Sequence, residues 1–401
     1  LSRNAVEIIV VNWNSRTETL ACLAAIEPQL AEVAGASVTV VDNGSSDGSA
    51  SAIATRFPQT KLFALKVNRG FTGGIAAALE GSSAGQVIFL NNDAVPEPGW
   101  LAALTGAMNE APEDVVSIGG KIVDLTGALI DFIGGVVTFD GHAFQNGFRM
   151  PLGARKEPDA GAELLFACGG NMISRRDALL RLGGFDDDYF AYLEDVDFGW
   201  RTWISGGRVL YEPRAVVRHA SSATSDRLGN FERGVLFERN AMQTALKNYE
   251  NLQEASAVFF AYLHRLHHYA TTRNNDAQEL TRGPFGSSHS AKKPRNRSSI
   301  AARLRRKVNG PTPLAAIDDP LTAMQFRAFD WIVKNERRVA DKRESVQAMR
   351  RRADAEIFER FPLRVVPTYP GDEEMMAGSL FRAMLPKLPS ISQTLRDLIK
   401  T

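Results

Sequence analysis

With 401 residues, 44% of them hydrophobic and 23% charged, the chain is long and apolar enough to bury a sizeable core, which excludes a disordered protein. A net charge of +1 removes the global field that would argue for nucleic acid, so any electrostatic partner has to be read locally. Cys22 and Cys168 match no disulfide or zinc spacing, and no apolar run forms a signal-peptide core or reaches the roughly 18 residues of a membrane span, which points to a cytosolic protein.

The β-branched runs "VEIIVV" (6–11) and "SVTVVD" (37–42) flank a helical stretch and predict a βαβ unit. "KLFAL" (61–65) adds a short strand before the loop "NRGFTGG" (68–74), an alanine-rich helix follows, and "QVIFLNND" (86–93) supplies a fourth strand. Parallel strands whose carboxyl ends carry polar residues predict a ligand crevice along that edge. "GGVVTFDGHAF" reads as a hairpin, "GGNMISRRDALLRLGGF" as a helix closed by glycines, and "LYEPRAVVRH" as a buried strand. Beyond residue 230 strand character disappears. Two amphipathic helices come first, then the Gly-, Ser- and Pro-rich linker 281–298, then a long helical segment striped by Leu321, Met324, Ile332, Val339, Val346, Met349 and Ile357, which predicts packing on this chain or on a second copy.

Several strand ends carry chemistry. Asp42 and Asn43 precede a turn rich in Gly and Ser; an acceptor there takes the imide N–H of uracil or thymine, with Asn12 to Asn14 lining the ribose. The same segment also reads as an Asx turn capping the next helix. Gly70, Gly73 and Gly74 let backbone approach a ligand, with Arg69 available to a diphosphate, although the loop lacks the order of a dinucleotide or P-loop signature. Asn91, Asn92 and Asp93 end an apolar strand, where one carboxylate suffices to help hold a metal-bound diphosphate. "GFDDDYFAYLEDVDFGWR" (184–201) sets six carboxylates among aromatics. Glu194, Asp195 and Asp197 must then be paired, metal-bound or protonated wherever Tyr192, Phe198 and Trp200 anchor the segment inside, and one of them is a candidate general base. A helix N-terminus enriched in acids explains the same residues without catalysis. His219, at a strand end, is either a neutral hydrogen-bonded side chain or a metal ligand. His264 and His268 lie one helical turn apart without a third ligand.

In their order and spacing, "VVNWN", "VVDNGSSDGS", "NRGFTGG", "FLNNDAV", "CGGNMISRRDALLRLGGFDDDYFAYLEDVDFGWR", "YEPRAVVRH" and "ERNAMQTALKNY" resemble inverting glycosyltransferases of family 2, in the rhamnosyltransferase-like branch. The resemblance covers residues 6 to about 250. It implies an α/β GT-A fold, a Rossmann-like mixed sheet flanked by helices, over residues 1–235; the residues that follow read from their own pattern as a mainly α-helical C-terminal region made of a helical extension (236–280), the basic linker and helices over 299–401. Residue by residue it implies that Asp42 and Asn43 hold the base, that Asn91, Asn92 and Asp93 stand at the D-x-D position, and that Asp93 and His219 bind Mg2+ or Mn2+. Asp195 becomes the catalytic base, supported by Glu194 and Asp197, while Gly169, Gly170 and Asn171 border donor sugar and acceptor. Ile75 departs from the asparagine many relatives carry after the paired glycines, and N-N-D replaces D-x-D, as in other members of the branch.

The implied reaction is a single displacement from a UDP- or dTDP-sugar, with dTDP-rhamnose preferred, onto a hydroxyl of a glycan or lipid-linked acceptor. The run "KKPRNRSSIAARLRRK" (292–307), with eight basic residues and no acid, is either a solvated segment or a contact for an anionic membrane surface; without interleaved aromatics it does not predict nucleic-acid binding. A nucleotide-sugar-forming nucleotidyltransferase would need a Gly-rich signature with Arg and Lys at the first strand, which "VVNWNSRTETL" lacks. A non-catalytic carbohydrate-binding protein is the second alternative.

Overall fold

The structure, a computed structural model, describes residues 5–220, 229–271 and 320–400. Strands β1 (Val6–Asn12), β2 (Ala36–Asp42) and β3 (Lys61–Ala64) alternate with helices α1 (Arg16–Leu30) and α2 (Ser49–Arg56), and α3 (Gly70–Glu80) leads into β4 (Gln86–Asn91). Ile8, Ile9 and Val10 of β1 are fully buried. Such two-sided burial belongs to a central parallel strand covered by helices on both faces, and each aliphatic side chain taken from water contributes about 1.5–3 kcal/mol. Close packing sets the glycine at 74: a Cβ there would lie 2.7 Å from a methyl carbon of Val11, so only Gly lets α3 settle this near β1.

The middle of the chain completes the sheet with β5 (Ala94–Pro96), helix α4 (Trp100–Glu110), β6 (Val115–Asp124), β7 (Ile130–Phe132), the hairpin β8 (Gly135–Val137) and β9 (Ala143–Gln145), then β10 (Asn171–Arg175), α5 (Arg176–Arg181), α6 (Glu194–Ile204) and β11 (Arg208–His219). The main sheet runs β3-β2-β1-β4-β10-β6-β11-β5, with β7 paired to β6. Strands β1 to β4 are parallel, β10 runs antiparallel between β4 and β6, and β11 is parallel to β6 but antiparallel to β5. The expected mixed sheet with flanking helices is thus present. The helix expected over 169–185 is only half right, because Asn171–Arg175 joins the sheet and helix begins at Arg176. Five residues are too few to display a period; the unpaired backbone of β4 and β6 decides their conformation.

The C-terminal region contains α7 (Asn230–Asn248), α8 (Ser256–Thr271), α9 (Pro320–Lys334), α10 (Glu336–Ala348), α11 (Asp354–Arg360), β12 (Leu363–Val365), α12 (Asp372–Ala377), α13 (Ser379–Met384), β13 (Ser390–Ser392) and α14 (Leu395–Lys400). It is mainly helical as expected, apart from the short parallel pair β12–β13, which corrects the expectation of no strand beyond residue 230. The long striped helix is three helices. Asn335 leaves helical geometry at φ −115° and ψ 19°, and after Met349 the chain turns so that the amides of Arg351 and Arg352 reach the carbonyl of Ile204 at the end of α6. Six of the seven stripe residues are buried and Met349 is partly so, all within this chain. The linker 281–298 and the basic run 292–307 lie outside the described residues. Among the described residues, no helix is long and apolar enough to cross a membrane.

Candidate active site

Strand order reverses between β1 and β4, and polar residues gather at the carboxyl ends there: Asn12 stands opposite Asp42, and Val11 opposite Asn91. A crevice at such a switch point is where open α/β sheets bind ligands. Asn12 is buried and donates to Asp42 Oδ1 at 2.8 Å, while its own oxygen accepts from Thr19 at 2.8 Å and from Asn92 at 3.3 Å. It therefore orients the Asp42 carboxylate from behind. The Ser45 amide fixes the other oxygen of Asp42 at 3.3 Å. Asn14, in the left-handed region at φ 51°, accepts from the Ser46 amide at 2.8 Å, tying the end of β1 to the turn after β2. Asn43 is a clasp: its side chain donates to the Gly70 carbonyl at 2.8 Å and accepts from the Arg69 amide at 2.9 Å.

The glycines at the start of α3 admit neighbouring chain. A Cβ on Gly70, at φ 75°, would lie 2.4 Å from the Phe190 carbonyl oxygen, and one on Gly73 would lie 2.7 Å from Arg69 Cβ. Arg69 itself is exposed beside the helix N-terminus.

A second group forms where β5, β7 and β11 meet. Pairing of β5 with β11 sets His219 opposite Ala94, next to Asp93, and pairing of β7 with β6 brings up Asp131. His219 Nε2 lies 3.0 Å from Asp93 Oδ1 and 3.0 Å from Asn91 Nδ2, and Nδ1 lies 2.8 Å from Asp131 Oδ2. Burial would lower the imidazole pKa, but hydrogen bonds and charge from Asp131 and Asp93 push it up to about 10. Two carboxylates thus already attract a positive charge to this point. Among the described residues, no group of three or more His, Cys, Asp or Glu side chains is arranged as a ready metal cage. Asp93 and His219 still fit a divalent cation that takes its remaining ligands from a diphosphate, with Asp131 holding the imidazole in the carboxylate–histidine–metal manner. Asp131 was missed by the sequence reading; its signal is one carboxylate inside the apolar run "ALIDFIGG".

The third group is the start of α6. Asp195 Oδ2 accepts from the Gly169 amide at 2.9 Å and Oδ1 from the Val196 amide at 2.8 Å. Burial raises its pKa against those bonds. Burial, and then the Asp195 charge, push neighbouring Glu194 up to about 8, and Glu194 Oε2 has no hydrogen-bond partner. Asp197 faces elsewhere. It is fully buried and paired with Arg201 at 2.8 Å and Lys247 at 3.0 Å, and it accepts from Asn248 at 3.1 Å; against burial, those two cations hold it below the usual carboxylate range.

The turn Gly169–Gly170 joins the groups, because Gly170 accepts from the Asn91 amide at 3.2 Å while Gly169 binds Asp195. A Cβ on Gly170 would lie 2.8 Å from Asn91 Nδ2. Asn171 is buried and used up by Trp100 at 2.8 Å and by the carbonyls of Lys121 and Ala215 at 3.0 and 2.9 Å. Contacts therefore run unbroken from Asp42 through Asn12, Asn92 and the Asn91–His219–Asp93 group to Asp195.

Residues 7–183 match the family model described as Glycosyl transferase family 2. The N-acetylglucosaminyl-diphospho-decaprenol L-rhamnosyltransferase of Mycobacterium tuberculosis is 28% identical over 48% of this chain and 68% of its own. The pre-mycofactocin glycosyltransferase of the same organism is 28% identical over 33% of this chain and 26% of its own. Among solved structures, GalNAc-T7 with UDP, GalNAc and Mn2+ superposes with a TM-score of 0.47 at 13% identity, covering 82% of this chain and 57% of that one. The mannosyltransferase PcManGT of Pyrobaculum calidifontis, with GDP-Man and Mn2+, gives 0.45 at 18% identity, covering 86% and 85%.

Proposed function

We propose that this chain, a glycosyltransferase by its family 2 domain over residues 7–183, moves a sugar from a UDP- or dTDP-sugar to a hydroxyl acceptor in one inverting displacement. The observation that carries the reading is the setting of Asp195: a desolvated carboxylate held by two backbone amides, one of them in the Gly169–Gly170 turn that also holds Asn91 beside Asp93 and His219.

Asp195 takes the proton of the acceptor hydroxyl as that oxygen attacks the anomeric carbon opposite the diphosphate. Desolvation strengthens it as a base, and a protonated Glu194 spares it a second adjacent negative charge. Asp42, oriented by Asn12 and the Ser45 amide, accepts the imide N–H of uracil or thymine. Arg69, exposed beside the N-terminus of α3, is placed to meet a phosphate. Asp93 and His219 would hold Mg2+ or Mn2+, and the cation would supply positive charge against the departing diphosphate. The relative named as an N-acetylglucosaminyl-diphospho-decaprenol L-rhamnosyltransferase favours rhamnose as the sugar, for which dTDP-rhamnose is our preferred donor, and a lipid-linked acceptor, which would bring the chain to an anionic membrane surface.

The deciding experiment is a thermal-shift screen of nucleotides with Mn2+, followed by sugar turnover on the best binder. UDP or dTDP should raise Tm only with the metal, and Asp93→Ala should lose that response. Equal responses in both proteins, or none to any nucleotide, would refute the reading.

A further inference from the structure

The segment leading into Glu194 and Asp195 is bent three times against its chirality. Phe190, Tyr192 and Leu193 all lie at positive φ (63°, 73° and 63°), and none is glycine. Such a turn persists only where its surroundings over-determine it. One buried side chain of α7 meets three of its carbonyls. The two hydrogens of Asn240 Nδ2 are shared among the carbonyls of Tyr189, Ala191 and Tyr192, at 3.0, 2.9 and 2.8 Å. Arg239 Nε donates to Asn240 Oδ1 at 3.0 Å, which fixes which end of the amide faces the turn. Arg239 Nη2 reaches the carbonyls of Asp188 and Tyr189, and its guanidinium lies 4.6 Å from the centre of the Trp331 ring in α9.

The same turn touches the donor side of the crevice. The Phe190 carbonyl accepts from the Thr72 amide at 3.2 Å and lies against Gly70. Its other end, Asp186 and Asp188, is paired with Lys342 of α10. The motif "ERNAMQTALKNY" thus contributes a brace in the form of Arg239 and Asn240.

We propose that Asn240, fixed by Arg239, is a positioning residue that holds the left-handed turn 189–193 and thereby sets Asp195 against the acceptor hydroxyl. The proposal rests on Asp195 being the base. Removing the amide takes one donor from each of these carbonyls, of which Tyr189 keeps Arg239 and the Ala191 amide, and lets the turn relax towards negative φ, which swings the first residues of α6 without touching Asp42 or Asp93.

The test compares wild type, Asn240→Ala and Arg239→Gln in donor turnover, in nucleotide affinity by calorimetry with Mn2+, and in amide hydrogen exchange of peptides spanning 186–196. Asn240→Ala should lower kcat at least 30-fold with the donor KM and nucleotide Kd within twofold, and speed exchange in 186–196 and at the Thr72 amide bonded to it, not elsewhere. Arg239→Gln should give the same split at about tenfold, and it decides the matter if Asn240→Ala is not recovered folded. Unchanged kcat, or kcat and nucleotide affinity falling together with Tm, overturns the proposal. A wild-type chain that binds nucleotide but turns over no donor overturns the base assignment and the proposal with it.

Discussion

Glu194 and Asp195 are consecutive carboxyls at one helix start, yet their surroundings divide them. Asp195 has two amides on its oxygens, whereas Glu194 has an oxygen with no partner. Glu194 is therefore the harder of the two to ionise, and the amides favour the charge on Asp195. Replacing Asp195 by Asn should cut turnover about 10²–10⁴-fold, the usual contribution of a positioned base, with nucleotide affinity retained; steady-state kinetics and calorimetry check both. Glu194 carries a pH signature. Its folded-state pKa of about 8 exceeds its ordinary 4.5, so its contribution to stability is complete below 4.5 and is lost as pH rises through 8. Thermal melts from pH 5 to 9 should show wild type declining more steeply than Glu194→Gln.

At the scale of elements, α6 is anchored by charge at its far side. Asp197 faces Arg201 within α6 and Lys247 on α7, all three buried. Arg201 also donates to the carbonyls of Leu182 and Gly184, closing the loop after α5. Breaking one member of such a network strands the others, at about 3–5 kcal/mol, so Asp197→Ala should lose about that much in urea unfolding. The packing of α3 on β1 makes a smaller claim. Gly74→Ala forces a methyl against Val11 and should cost about 1–3 kcal/mol, read by the same unfolding curves.

At the scale of the whole molecule, the C-terminal helices share the core of the sheet domain. Trp200 of α6 meets Tyr249, just after α7, at 5.1 Å and Phe358 of α11 at 5.0 Å, both edge-on, and Trp203 meets Phe361 at 5.0 Å. A buried polar hub makes a second seam. His142, in the hairpin segment, sits between Asp140 at 3.2 Å and Glu238 of α7 at 3.0 Å, and Arg265 of α8 bridges Asp140 and Asp372 at 2.9 and 2.8 Å. The C-terminal elements after α7 are therefore a brace for α6 and α7. Phe358→Ala should destabilise the chain by about 3–5 kcal/mol in a single unfolding transition, since Phe358 lies in the same buried cluster as the strands of the sheet.

Read without coordinates, the chain already determined the alternation of strand and helix through β4, the polar strand ends, the acids at 194–197 and His219 as a candidate ligand, because period and strand termini are local properties. Tertiary structure decided what those side chains do. Asn12, Asn43, Asn171 and Asp197 share composition with binding residues, yet their polar groups are spent on the protein's own backbone, cations and neighbouring side chains. Asp131 and Asn240 became visible only when β7 and α7 folded against distant segments. A polar group buried on folding must find a partner, and the partner's identity is a fact about proximity in space that no local pattern records.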